Sequence, residues 1–131
     1  FGGPLAKRMF AHFPARLTID GEAVEATEFA AVVASTIEQI GLGFRPFVRC
    51  REEPGKFHIL QILTTPLGFA AELPRIRLGK PIPEHKCPGS IARSAVFESS
   101  QPLPFTIDGD MHVSHGPLSI TTGPRLRIIV A

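Results

Sequence analysis

The chain has no tryptophan and no tyrosine, so its ten phenylalanines form an aromatic set without a polar handle. Such a set suits a core or an apolar cleft and argues against a sugar- or base-stacking platform. Cysteine is nearly absent: Cys50 and Cys87 lie far apart, with no CxxC pair. This reads as reduced thiols in a cytoplasmic protein, with one disulfide as the alternative. Net charge is also small, at +2, and the basic residues are scattered, which excludes a nucleic-acid stripe. Weak attraction to an anionic membrane surface stays open. No apolar run approaches a membrane span, and no signal-peptide pattern appears. No Met opens the chain, which starts at Phe1; we expect a piece of a longer protein.

What is present suits one globular domain. The 131 residues, 44% of them hydrophobic, can build a real core. Thirteen prolines and twelve glycines punctuate the chain at short intervals, favouring many short strands over long helices. Residues 103–116 carry the clearest pattern, L-P-F-T-I-D-G-D-M-H-V-S-H-G. Leu103, Phe105 and Ile107 alternate with Pro104 and Thr106, the period of a half-buried strand. Asp108-Gly109 then tolerates positive φ and reverses the chain in a tight hairpin, from which Asp110 emerges.

Along the rest of the chain, residues 5–13 predict an amphipathic helix ended by Pro14. Residues 15–19 and 22–26 predict a hairpin around Asp20-Gly21, with Leu17 opposite Val24 and an ion pair between Arg16 and Glu25. The apolar runs 29–34 and 57–63 predict strands buried on both faces. Gly41-Leu42-Gly43-Phe44 has neither GxGxxG spacing nor a GK[ST] ending, so it reads as a flexible loop. Thr65-Pro66 starts a helix that Pro74 kinks or splits and Gly79 ends. A loop over 80–90 leads to strands at 91–98, 103–107, 110–113, 118–121 and 126–130. Strands, one helical insertion and more strands predict a mainly β fold: a two-layer antiparallel β-sandwich with one or two short helices.

Five histidines invite a metal hypothesis. His112 and His115 are three apart, however, and face opposite ways on a strand, while a structural zinc needs about four ligands. They read as surface histidines. No G-x-S-x-G elbow supports a hydrolase triad. Among the acids Asp20, Glu22, Glu52, Glu53, Asp108 and Asp110, only Asp110 combines a rigid flank with a preceding turn. Its role would be a general base toward a hydroxyl, or a charge orienting a metal or cation.

The order of motifs resembles the C-terminal domain of the diacylglycerol kinase and sphingosine kinase type of lipid kinase, in particular its soluble bacterial members. The resemblance is carried by A-R-L-T-I-D-G-E, F-A-A-V-V-A-S, G-L-G-F-R-P and P-G-K-F-H-I-L-Q-I-L. It continues through L-P-R-I-R-L-G-K, P-L-P-F-T-I-D-G-D and P-L-S-I-T-T-G-P-R-L-R-I-I-V, over nearly the whole chain. It implies that residues 1–131 are a single domain, the β-sandwich lobe of a two-lobe kinase. ATP and Mg²⁺ would belong to the full-length protein, whose glycine-rich G-G-D-G-T site this chain lacks, and no cofactor is expected in this piece. The expected partners are a lipid substrate, the chain's own N-terminal nucleotide-binding lobe and peripherally the membrane, but no nucleic acid.

Residue by residue, the resemblance places the family's catalytic acid on Asp110, one methylene shorter than the usual Glu. A displacement near 1 Å costs on the order of a hundredfold in rate. It also implies a structural magnesium loop with an Asp where this chain has Pro54, and a later acid where it has His58. Glu52 and Glu53 are the oxygen ligands left there; the expectation is no metal site, neither zinc nor magnesium. Ile40, Leu42 and Phe44 are the expected apolar wall for the lipid, against a reading as ordinary packing. Two further readings stand beside the kinase lobe: a lipid-binding module of the same fold without turnover, and the lobe of an NAD kinase-like enzyme.

Overall fold

Residues 11–124 are described here, from a computed structural model. In chain order the elements are β1 (Phe13–Pro14), β2 (Arg16–Ile19), β3 (Glu22–Ala23), β4 (Glu28–Phe29), β5 (Ala31–Ser35) and β6 (Phe57–Ile62). Two single-turn helices follow, α1 (Pro66–Ala70) and α2 (Leu73–Arg77). Then come β7 (Gly89–Ala92), β8 (Ser94–Glu98), β9 (Leu103–Ile107), β10 (Asp110–Ser114) and β11 (Leu118–Thr121). All pairings are antiparallel: a four-stranded sheet β11-β8-β2-β3, a three-stranded sheet β5-β6-β7, and two-stranded ribbons β1-β4 and β9-β10.

The run F-H-I-L-Q-I of β6 explains the layering. Alternate side chains of a strand point to opposite faces, and here both faces are covered. Phe57 and Ile59 join Ala92 of β7 and meet Leu17, Ala95 and Phe97 of the four-stranded sheet, making the sandwich core. Leu60 points the other way, into a second core with Phe47, Cys50, Ile76, Ile82 and Cys87. The helices and the 80–88 segment form that outer cover. A fully buried Leu17, Phe29 or Ile59 stabilises the fold by about 1.5–3 kcal/mol each. Thr65 caps α1, its hydroxyl accepting from Gly68 N–H at 3.1 Å. Pro74 sits in the first turn of α2, so the predicted helix is split, and Gly79 at φ 70° follows its end.

The small antiparallel β-sandwich agrees with the predicted fold class, and several predicted details need correction. The strand expected at 29–34 is not buried throughout. Phe29 is buried, but among the described residues β5 pairs with β6 alone and forms the edge of its sheet, and Val33 is 36% exposed. The single strand expected at 91–98 is two. β7 belongs to one sheet and β8 to the other, with the chain changing sheets at Arg93. Leu17 does lie opposite Val24, whose N–H donates to Leu17 O at 2.9 Å. The ion pair between Arg16 and Glu25 does not form: β3 ends at Ala23, and Arg16 pairs in register with Glu98. Of the helix expected at 5–13, residues 5–10 lie outside the described residues. Phe13 is in β1, where its ring lies 5.9 Å from that of its partner Phe29. The strand expected at 126–130 also lies outside the described residues.

Candidate functional site

Asp110 opens β10, across from Ile107 and one residue past the turn at Asp108 (φ 49°) and Gly109 (φ 87°). Both turn residues take positive φ, as a tight two-residue hairpin loop requires. The carboxylate is exposed and, among the described residues, makes no hydrogen bond or ion pair. Behind it on the same face His112 stacks on Phe105, ring centroids 5.2 Å apart. Leu103 roots the ribbon in the sandwich core, whereas Ile107, Met111 and Val113 are 58%, 72% and 55% exposed. The acid is therefore held at the end of a hydrogen-bonded ribbon and is open to an incoming group.

The segment 40–44 is a closed turn, not a flexible loop. Phe44 N–H donates to Gly41 O at 2.9 Å and Ile40 N–H to Phe44 O at 3.1 Å. Leu42 and Gly43 take φ 51° and 80° between them. Arg77 of α2 donates to Leu42 O and spreads its guanidinium over the Phe44 ring, 5.6 Å from the centroid. Phe44 is partly buried and packs on the second core. Ile40 and Leu42 point outward, 62% and 84% exposed. The structure thus brings the three wall residues into one turn but divides their faces, and it places Asp110 on a different ribbon.

Asp110 lines neither of two depressions on the described surface. One, of about 610 Å³, runs along the β2–β3 edge past Pro14, Val24 and Ser99. The other is polar, about 560 Å³, and lined by Arg49, Glu52, Glu53, Gly89, Ser90 and Ile91. This is the loop in which the family resemblance implies a structural magnesium. Its carboxylates are already neutralised from within: Arg49 holds Glu52 at 2.7 Å and Lys56 holds Glu53 at 2.7 Å. The Lys56 contact keeps the Glu53 carboxyl below its usual range. Among the described residues no three His, Cys, Asp or Glu side chains converge as a metal cluster. The residues present do not fit the implied ion.

Beneath that depression lies a residue that sequence reasoning treated only as a missing ligand. His58 is 2% exposed; its Nδ1 accepts from Arg49 N–H at 3.3 Å, while its buried Nε2 has no partner among the described residues. Burial, then the Arg49 charge, lowers its pKa from the ordinary histidine value. The other groups with resolved shifts are structural. Asp20 Oδ1 accepts from Arg93 N–H and Ser94 N–H, both at 2.9 Å, and these bonds lower its pKa. Glu72 is buried, held by Lys86 at 2.6 Å and Arg75 at 3.3 Å, and is lowered chiefly by the Lys86 bond. Cys50 and Cys87 are both free and buried; desolvation raises both, Cys87 to about 11. These are inert thiols. Among the described residues no helix is long and apolar enough to cross a membrane.

No family model and no curated protein matches the sequence. Solved structures match its fold. A diacylglycerol kinase from Bacillus anthracis superposes with a TM-score of 0.60 at 17% identity, over 91% of this chain. The fold is diacylglycerol-kinase-like. The chain spans about half of that kinase, 46% of its length. At this identity the likeness is one of backbone architecture.

Proposed function

We propose that the chain is the lipid-facing lobe of an ATP-dependent lipid kinase, acting on a hydroxyl of diacylglycerol or a related lipid. The observation that carries this reading is the match of 91% of the chain to a diacylglycerol kinase. The exposed Asp110 on its hydrogen-bonded hairpin supplies a matching acid. In this reading ATP and its Mg²⁺ are held by a nucleotide-binding lobe outside the present chain, and no step is routed through the residues of the 51–57 loop. Asp110 takes the proton of the lipid hydroxyl as that oxygen bonds to the γ-phosphorus. The bond from γ-phosphorus to the β,γ-bridging oxygen breaks, and ADP leaves. Such transfers need positioning and charge stabilisation more than covalent help from the protein.

The test uses the natural protein containing this chain together with its nucleotide lobe. Asp110→Asn should lower lipid phosphorylation by about a hundred- to ten-thousandfold. The melting transition should barely move, since surface substitutions stay within about 0.5 kcal/mol. Asp110→Glu should equal or exceed the parent by adding back the methylene. Unchanged turnover in Asp110→Asn reduces Asp110 to a hairpin residue. A parent that binds lipid and turns over none is instead the non-catalytic binding module, which the self-neutralised Glu52 and Glu53 favour.

A further inference from the structure

One surface combines exposed apolar side chains with cations that enter no ion pair among the described residues. Ile37, Ile40 and Leu42 are 63%, 62% and 84% exposed, and Leu78, just past α2, is 68% exposed. The turn that carries Leu42 is rigid, closed by its own hydrogen bonds and locked to α2 by Arg77. Arg45 N–H donates to Ile76 O at 3.0 Å, which ties the chain beyond the turn to the same helix. A Cβ on Gly79 would lie 3.5 Å from Arg45 Cδ, so the segment after α2 is part of this face too. Arg45, Arg77 and Lys80 are exposed there and, among the described residues, enter no ion pair. Arg75 is engaged by Glu72, and Glu38 is the only acid in residues 37–45.

Leucine at the tip of a tight turn is a poor filler for a core, because the turn holds it away from the body of the domain. It is well placed to enter an apolar phase that approaches from outside. Flanking arginines and lysine add attraction only if that phase carries negative charge at its surface. We propose that this face docks on an anionic lipid bilayer, with Ile40 and Leu42 entering the outer acyl region and Arg45, Arg77 and Lys80 against lipid phosphates. The proposal deepens the lipid-kinase reading by naming where such a lobe meets the membrane that holds its substrate. Binding itself requires no turnover.

Co-sedimentation of the purified chain with vesicles tests it. The parent should bind phosphatidylcholine vesicles containing phosphatidylserine, lose that binding as salt is raised, and bind pure phosphatidylcholine weakly. Leu42→Glu should weaken binding to the mixed vesicles by about tenfold or more. Arg45→Glu with Lys80→Glu should weaken it by about a hundredfold or more. Leu67→Glu, at a 74% exposed apolar site on α1, should bind like the parent. Absence of parental binding, or parental binding by Leu42→Glu, overturns the proposal. So does a Leu42→Glu effect on self-association alone, which would assign the face to a second copy. Vesicle binding by a natural protein that phosphorylates no lipid leaves this face standing and removes the kinase. Turnover on detergent-dispersed lipid without vesicle binding does the reverse.

Discussion

Acidification from pH 7 to pH 5 should weaken the fold through His58. The ring sits on the outer face of β6 with 2% of its surface exposed, and Phe47 packs edge-on at 5.9 Å. Because Nδ1 accepts from Arg49 N–H, a neutral ring carries its proton on Nε2, where nothing among the described residues receives it. A second proton would put a buried positive charge beside Arg49. The Phe47 backbone and the more distant charges of Glu52 and Glu84 pull the other way, and the net shift is downward. The unfolded chain therefore binds more protons than the folded one below the ordinary value of 6.5. Stability is fully present above that pH and falls as pH drops through it, until the folded-state value is reached. One proton corresponds to at most about 1.4 kcal/mol per pH unit, or about 2 kcal/mol between pH 6.5 and 5.

Urea unfolding at pH 7, 6 and 5 measures this directly. His58→Asn keeps an acceptor for Arg49 N–H but loses the ring, so it should be less stable at pH 7 and flatter toward pH 5. The two stability curves should converge on acidification. The shifted carboxylates Asp20, Glu53 and Glu72 do not confuse the window, because their ordinary values of 3.8 to 4.5 are lowered further. A parent whose midpoint does not fall between pH 7 and 5, or an Asn variant with the parental slope, refutes the argument.

Two further outcomes test the frame around the site. Asp20→Ala should cost about 1 kcal/mol in a urea melt, as loss of a helix-capping oxygen does, with solvent exposure limiting the effect. Asp20→Asn, which keeps an acceptor for Arg93 and Ser94, should cost less; equal losses would show that the two amide bonds contribute nothing. Gly89→Ala would place a Cβ 2.9 Å from His58 Nε2 and 3.1 Å from Leu60 Cδ2, and should destabilise by about 1–3 kcal/mol. A melt unchanged by that substitution would mean that β7 yields freely against β6.

Much of the fold was legible because its signals are local. Asp-Gly pairs located both hairpins, Thr65-Pro66 the start of α1, and an unbroken apolar run the doubly covered β6. The errors fall where a local pattern does not reveal which neighbours a strand will have. Residues 29–34 are as apolar as 57–62, yet only the latter gained a sheet on one face and helices on the other. The strand break at Arg93 carries no glycine or proline. What satisfies the bend is Asp20, 73 residues away in sequence, which supplies the acceptor for its two amides. His58 escaped for a similar reason: one polar residue in an apolar run shows its burial but not its missing partner.

The site reading turns on two nearly identical hairpins. L-T-I-D-G-E at 17–22 and F-T-I-D-G-D at 105–110 fold into the same turn, with φ of 49° and 84° in the first and 49° and 87° in the second. Local chemistry therefore cannot explain why they differ in use. In the first hairpin the turn aspartate bends back to hold the sheet crossover, and Leu17 is 1% exposed. In the second the aspartates bind nothing among the described residues, and Ile107, Met111 and Val113 remain open. Of these three, Ile107 lies across from Asp110 and shares its face, whereas Met111 and Val113 project from the opposite face of the ribbon. Cutting back Ile107 should therefore cost little folding stability, and any further loss it causes should appear in whatever Asp110 does, whereas Met111 and Val113 should be silent in both.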